Sequence, residues 1–554
     1  MSKGNPIVAD VIAADLARYG ARRCFALLGT ANFKISHALV QSGVELISAR
    51  HEGNASSMAD AYAKASGELT LVSVHSGPGL TNALTGIAEA AKSRTPLLVL
   101  AGDVPNGAVK NNFYIEQADM VRAVGAVPER LHTPASARED ALRAVSRALR
   151  ERQTVVLSMP LDVQHAPLAS NLPPFDLPPA GGRLHPDPRA VERLADAVLR
   201  AQRPLVLGGR GAVIADAEAT LTALAERIGA LLATSVCGHG LFAGNPWSVG
   251  ISGGFSSPIA DTLIAESDCI IAFGASLTQW TTKKGKLIAP GAVVAQVDVE
   301  AGKLGYQIPI EIAVLGDAKA TTEALLAELD RRGSKSRPGR RDETMRERIR
   351  AGDNHHYPHP DESSHDFIDP RTLSKAVDAI LPADRVVASD SGHFCGWVPR
   401  YLRVPNARAS CLSHSFQSVG LGLPSVIGLA IANPGKLAVL GTGDGGLLMS
   451  MADLETAVRL KLRLCILVYN DSSYAAEVHY FRRQGYSVDI VQFPDTDFAA
   501  MARGFGARGA TVRSLADLNP VKEWVAEGTP GVFVIDGKIN PNLEADWHAE
   551  HFPN

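Results

Sequence analysis

Leu440-Gly441-Thr442-Gly443-Asp444-Gly445-Gly446 and, 26 positions after Asp444, Asn470-Asp471-Ser472-Ser473-Tyr474 are the two segments that decide the reading of this chain. Val439-Leu440 reads as the end of a buried strand, a helix is expected to begin near Met449, and Leu464 to Tyr469 reads as the next strand. Gly443, Gly445 and Gly446 permit the close backbone approach that an anion site needs, and the following helix turns its positive end toward the same place. Asp444 is a hard-oxygen ligand among them, and Asn470 and Asp471 are a second oxygen-bearing cluster. In a parallel sheet, neighbouring strand ends meet at one edge. Two such turns can share one Mg²⁺ that bridges to a phosphate. An ordinary glycine-rich strand–helix turn would carry similar letters.

Gly443-Asp444-Gly445 followed at this interval by Asn470 and a second polar residue resembles the diphosphate-binding motif of thiamine diphosphate (ThDP) enzymes. The family pattern usually ends in two asparagines, and here the second is Asp471. The resemblance implies that Asp444, Asp471 and the Ser473 carbonyl hold the metal. It implies that Gly443, Asp444, Gly445, Gly446, Asn470, Asp471 and Ser473 bind the cofactor.

At 554 residues, with 46% hydrophobic and 20% charged residues, the chain suggests about three globular domains. Its net charge of −3 gives no footprint for nucleic acid, and no run approaches a bilayer-spanning length. Six cysteines without CxxC spacing argue against zinc or a disulfide framework and fit a reducing cytoplasm. The N-terminus leads into an amphipathic helix rather than an apolar signal core.

Helical and apolar stretches alternate throughout, which predicts an α/β protein of three doubly wound parallel-sheet domains. Residues 1–180 form the first, with strands at Val44 to Ser48, Thr70 to Val74 and Pro96 to Leu100, and Leu172 to Pro179 reads as a linker. Residues 190–333 form the second, 334–368 read as a charged, solvated linker, and 369–554 form the third. This order resembles the acetolactate synthase, benzoylformate decarboxylase and pyruvate decarboxylase branch of the ThDP family.

A cofactor of this kind needs a carboxylate in a dry pocket to share a proton with its pyrimidine ring. Glu52, in Arg50-His51-Glu52-Gly53-Asn54, lies between a strand and a helix of small residues, and the segment resembles the family's activating-glutamate segment. An acid near a helix N-terminus is also common without any such role. Ser415-Phe416-Gln417-Ser418-Val419-Gly420 resembles the segment that cradles the pyrimidine, with the Gln417 carbonyl toward the ring amine and Val419 as the apolar wedge. Glu52 and Asp444 fall in different domains, so the resemblance implies a homodimer or homotetramer with sites between subunits.

His75, in His75-Ser76-Gly77-Pro78-Gly79, follows a strand end and can trade protons near neutral pH; benzoylformate decarboxylase carries a similar His-Ser pair. Glu477 falls where pyruvate decarboxylases place a proton-donating acid, although their adjacent histidine pair is missing here. Thr30, Glu116, Gln117, His393 and Phe394 are candidate pocket residues. Leu207-Gly208-Gly209-Arg210-Gly211 resembles both the FAD loop of acetolactate synthases and the ADP loop of oxalyl-CoA decarboxylases, but Phe273-Gly274-Ala275-Ser276 lacks the arginine usual in acetolactate synthases. The expected activity is ThDP- and Mg²⁺-dependent cleavage or ligation of 2-oxo acids. Alternatives are a 2-hydroxyacyl-CoA or oxalyl-CoA lyase, and a non-catalytic ThDP-binding subunit.

Overall fold

A computed structural model describes residues 6–168, 176–177 and 181–552. Most of the expected linker at Leu172 to Pro179 lies outside the described residues. Three parallel six-stranded sheets follow one another along the chain. The first holds β1 (Arg23–Ala26), β2 (Glu45–Ser48), β3 (Thr70–Val74), β4 (Leu97–Asp103), β5 (Val127–Arg130) and β6 (Thr154–Pro160), in the order β2-β1-β3-β4-β6-β5.

The second holds β7 (Pro204–Gly208), β8 (Leu231–Thr234), β9 (Ser248–Ile251), β10 (Cys269–Phe273), β11 (Val293–Asp298) and β12 (Ile312–Leu315). The third holds β13 (Arg385–Ser389), β14 (Ser410–Leu412), β15 (Leu437–Gly443), β16 (Arg463–Asn470), β17 (Arg508–Val512) and β18 (Gly531–Lys538), in the order β14-β13-β15-β16-β18-β17. The central strands are buried throughout, which is why they read as continuous apolar runs rather than alternating ones.

The first and third sheets are joined by a helix pair. The Glu52–Ser66 helix is buried on every side from Glu52 to Ala63, and it crosses the Gly422–Ala432 helix so closely that a side chain at Gly428 would collide with the Met58 carbonyl. The small residues of both helices are therefore a packing requirement, since backbones approach this closely only where side chains are absent or short. Met58, Ala59, Val426 and Ile427 belong to one continuous core spanning the two domains. The central domain has cores of its own.

Two expectations are corrected here. β15 runs on to Gly443, and the helix after it begins at Asp444, five residues before Met449. Residues 334–368 are not simply solvated: Arg337 donates to the Ile228 and Leu199 carbonyls, Arg341 to Ala230, and Arg340 to Leu263, and a helix forms over Glu343–Gly352. Guanidinium groups satisfying helix-end carbonyls read, in sequence, the same as exposed charge.

Candidate active site

The site has two halves. In the third domain, the β15–β16 register pairs Gly443 with Tyr469, so Asp444 and Asp471 leave adjacent strand ends. Asp444 opens the Asp444–Ser450 helix and is buried. The Asp471 carboxylate accepts from the Ser473 main-chain N–H at 3.2 Å and the Ser473 hydroxyl at 3.0 Å, and the same main-chain N–H also faces Asp444. Ser472 takes a φ of 56°, an uncommon left-handed conformation that makes the turn tight enough for this sharing. Burial holds both carboxyls above the usual range, and the Asp444 charge adds to the effect on Asp471. A buried Asp444 and a partly buried Asp471 that oppose each other's ionisation are what a divalent cation would relieve.

Among the described residues no group of three or more His, Cys, Asp or Glu side chains is arranged around a metal position. Mg²⁺ would therefore draw its remaining ligands from main-chain, phosphate and water oxygens, its usual habit.

Asn470 braces the turn instead of facing outward. Its amide donates to Asp536 at 2.9 Å and to the Thr496 carbonyl at 3.2 Å, while its oxygen accepts from the Ser472 N–H at 3.2 Å. Val419 lies beside Gly446, and Gln417 has a φ of 60°, so the 415–420 loop reaches the diphosphate turn within the same domain. Sequence reading gave no role to Asp390, which is buried at the end of β13. Its carboxylate accepts from the Ser391 N–H at 2.8 Å, the Gly420 N–H at 3.1 Å and the Thr442 hydroxyl at 3.2 Å, tying loop to turn. Burial raises it to about 6. The Asp-Ser-Gly sequence after a strand was the available signal.

In the first domain, Thr30, Glu52 and His75 follow β1, β2 and β3, which are neighbours in the sheet. His51 caps the Gly53 N–H, Glu52 starts the helix, and its carboxylate accepts from the Asn82 amide at 3.1 Å. Gly79 lies against both His75 and Glu52. His75 Nδ1 lies 2.9 Å from the Ser76 carbonyl and 3.2 Å from the Ser76 hydroxyl, and Nε2 lies 3.2 Å from the Thr30 hydroxyl. Phe113 meets the imidazole edge-on at 4.9 Å. Gly77, with a φ of 60°, lets this turn pass the Phe113 backbone, where a side chain would collide.

The other pocket candidates separate. Glu477 is exposed on the first turn of the Ala475–Arg483 helix, and Glu116 is exposed and bonded to the Tyr114 hydroxyl. Gln117 is buried in the wall of a cleft that Glu116 also lines, donating to the Gly102 carbonyl and accepting from the Ser158 hydroxyl. His393 accepts from the Ala545 N–H at 2.9 Å and is walled in by His479 and His548, and Phe394 stacks on Tyr469 against Gly443. Both are packed against neighbouring rings, and His393 Nδ1 is buried without a hydrogen-bond partner among the described residues. In the central domain, Gly209 and Gly211 are pressed against Gly274, and Arg210 donates to the Ser93 carbonyl. Those glycines serve the close approach of two loops, and the Arg210 guanidinium already has a protein partner.

Comparison with known proteins settles the family. The thiamine pyrophosphate enzyme N-terminal TPP-binding domain matches residues 7–123, the central domain residues 191–325, and the C-terminal TPP-binding domain residues 390–536. The chain belongs to the thiamine pyrophosphate enzymes. It is 30% identical to a probable 2-ketoarginine decarboxylase of Pseudomonas aeruginosa, over 93% of this chain and 90% of that protein. It is 27% identical to a sulfoacetaldehyde acetyltransferase of Rhodobacter capsulatus, over 95% and 93%. It is 26% identical to a probable acetolactate synthase large subunit of Methanocaldococcus jannaschii, over 96% and 92%. It is thus a ThDP-dependent decarboxylase/carboligase of the 2-oxo acid enzymes, with three parallel α/β domains. Among the described residues no helix is long and apolar enough to cross a membrane.

Proposed function

We propose that this enzyme is a Mg²⁺- and ThDP-dependent decarboxylase of a 2-oxo acid, able also to pass the resulting acyl unit to a second carbonyl. The observation that carries this reading is the grouping of Glu52, His75 and Thr30 at one sheet edge, with the His75 ring partly exposed and its Nε2 held 3.2 Å from the Thr30 hydroxyl. Asp444, Asp471 and the Ser473 carbonyl would hold Mg²⁺, and the Gly445-Gly446 helix start would hold the diphosphate. Gln417 and Val419 would seat the pyrimidine, and Glu52 would hold the proton on its ring nitrogen. When bound, ThDP supplies a nucleophilic carbon and an electron sink for loss of CO₂. His75 would take a proton and return it to the product, and Glu477 would be a second proton source.

We infer further that the working enzyme is a homodimer or homotetramer. Among the described residues no hydrogen bond or ion pair joins Glu52 to the Asp444 turn within one chain. Exposed apolar side chains flank both halves: Phe33 and Phe113 on one, Phe416, Val419, Met449 and Tyr474 on the other. Assembly would cover them and complete the site.

CO₂ release, measured with added Mg²⁺ and ThDP against pyruvate, benzoylformate, oxaloacetate, glyoxylate and oxalyl-CoA, tests the reading. Turnover of a free 2-oxo acid that depends on ThDP is expected. Turnover of the CoA thioester alone, or of none, would overturn it. A fully active monomer by sedimentation would overturn the assembly.

A further inference from the structure

We infer that Glu89, a first-domain residue, is the positioning residue that presents the 415–420 loop to the cofactor; this rests on the reading of that loop as the pyrimidine seat. Glu89 is fully buried near the end of the Pro78–Lys92 helix, yet its carboxylate serves the third domain. It accepts from the Phe416 N–H at 2.6 Å and from the Ser415 N–H at 3.2 Å. Ser93, one turn later, donates to Glu89 at 3.1 Å, and its hydroxyl lies 2.7 Å from that of Ser415. Lys64 stands 3.4 Å from the carboxylate and is itself held by Asp60 at 2.5 Å.

The two N–H groups that Glu89 binds immediately precede Gln417, whose left-handed backbone has no glycine to ease it. The far side of the loop is pinned by Asp390 through the Gly420 N–H. Between these carboxylates, Phe416 and Val419 stand 45% and 40% exposed, so the tip is held out into the opening rather than folded onto its own domain. A strained residue persists where its surroundings over-determine it, and here two buried carboxylates from different domains do so.

The Glu89 helix is fixed at its other end as well. It spans 15 residues, about 22 Å, and it begins at Pro78 beside the turn that holds His75, with Asn82 donating to Glu52. A rod anchored at one half-site therefore sets the loop of the other. An acid on a first-domain helix is needed for this only if the loop must be held from outside its own domain.

The test is Glu89→Gln, which retains size but offers the two N–H groups a weaker acceptor and a competing donor, while Asp60 still partners Lys64. Amide hydrogen exchange of the cofactor-free protein should rise locally at residues 414–420. The ThDP concentration giving half-maximal activity should increase about tenfold or more, the loss expected for charge-assisted hydrogen bonds, with kcat at saturating ThDP changed far less. Ser93→Ala should move both readouts in the same direction by a smaller amount. Exchange at 414–420 and ThDP half-saturation equal to wild type in Glu89→Gln would overturn the inference. Should that variant not fold, the same null result in Ser93→Ala would overturn it. Wild-type protein that fails to bind ThDP by calorimetry would instead sink the functional reading, leaving the exchange measurement to judge Glu89.

Discussion

The two halves of the site differ in how complete each is without a ligand. On the first-domain edge Glu52 and His75 have neutral partners: Glu52 has Asn82, and His75 has Thr30 and the Ser76 carbonyl. On the third-domain edge the carboxylates of a buried Asp444 and a partly buried Asp471 share one N–H, and both resist ionisation. On the proposed reading, the contrast teaches that proton chemistry can be set up by hydrogen bonds alone, whereas phosphate binding would need a cation.

The largest expected effect breaks the unfinished half. Asp444→Ala should purify without ThDP and show no thermal stabilisation by Mg²⁺ plus ThDP, where wild type at about a hundredfold excess over Kd gains about 2.7 kcal/mol. Full ThDP retention after EDTA treatment of that variant would dismiss the metal assignment. Next, Glu52→Gln should lower kcat by about 10²–10⁴-fold while ThDP still binds by calorimetry; an undiminished rate removes Glu52 from the mechanism. On the proposed reading, with the ring moving the proton, His75→Ala should cost about 10²-fold in kcat and alter the pH–rate profile.

The smallest effect concerns stability rather than rate. Burial lowers His479 to about 4 and holds His393 well below its ordinary value, with neighbouring His548 adding to both. These rings are neutral when folded and ordinary when unfolded, near 6.5, so the unfolded chain binds more protons between those values. Their contribution is present in full above about pH 6.5 and is lost as pH falls toward 4. The urea midpoint should decline over that window, and His479→Gln should flatten the decline; an unchanged slope would detach the cluster from acid stability.

Much of this was legible in the letters. β3 was read at Thr70–Val74, the bounds found in the structure, because a buried parallel strand is an unbroken apolar run. The Asp444–Gly446 turn showed itself through three glycines around one acid. Its helix was misplaced to Met449 because glycines at its start read as loop, although they sit in the first turn. Asp390 and Glu89 were passed over for a different reason: an acid in sequence carries no mark of which N–H groups it will accept from 30 or 300 positions away.

By itself, the sequence determined what is local or periodic: three α/β domains, the strand-end turns, and the residue types able to hold a metal or move a proton. Backbone preference and burial alternate over a few residues, so they are written in short segments. Only the tertiary structure decided that Gln117 and His393 face inward, that Asn470 braces its own turn, and that a first-domain glutamate grips a third-domain loop. Each of those depends on which hydrogen-bonding groups burial brings within 3 Å, and that is a property of packed distances rather than of spacing along the chain.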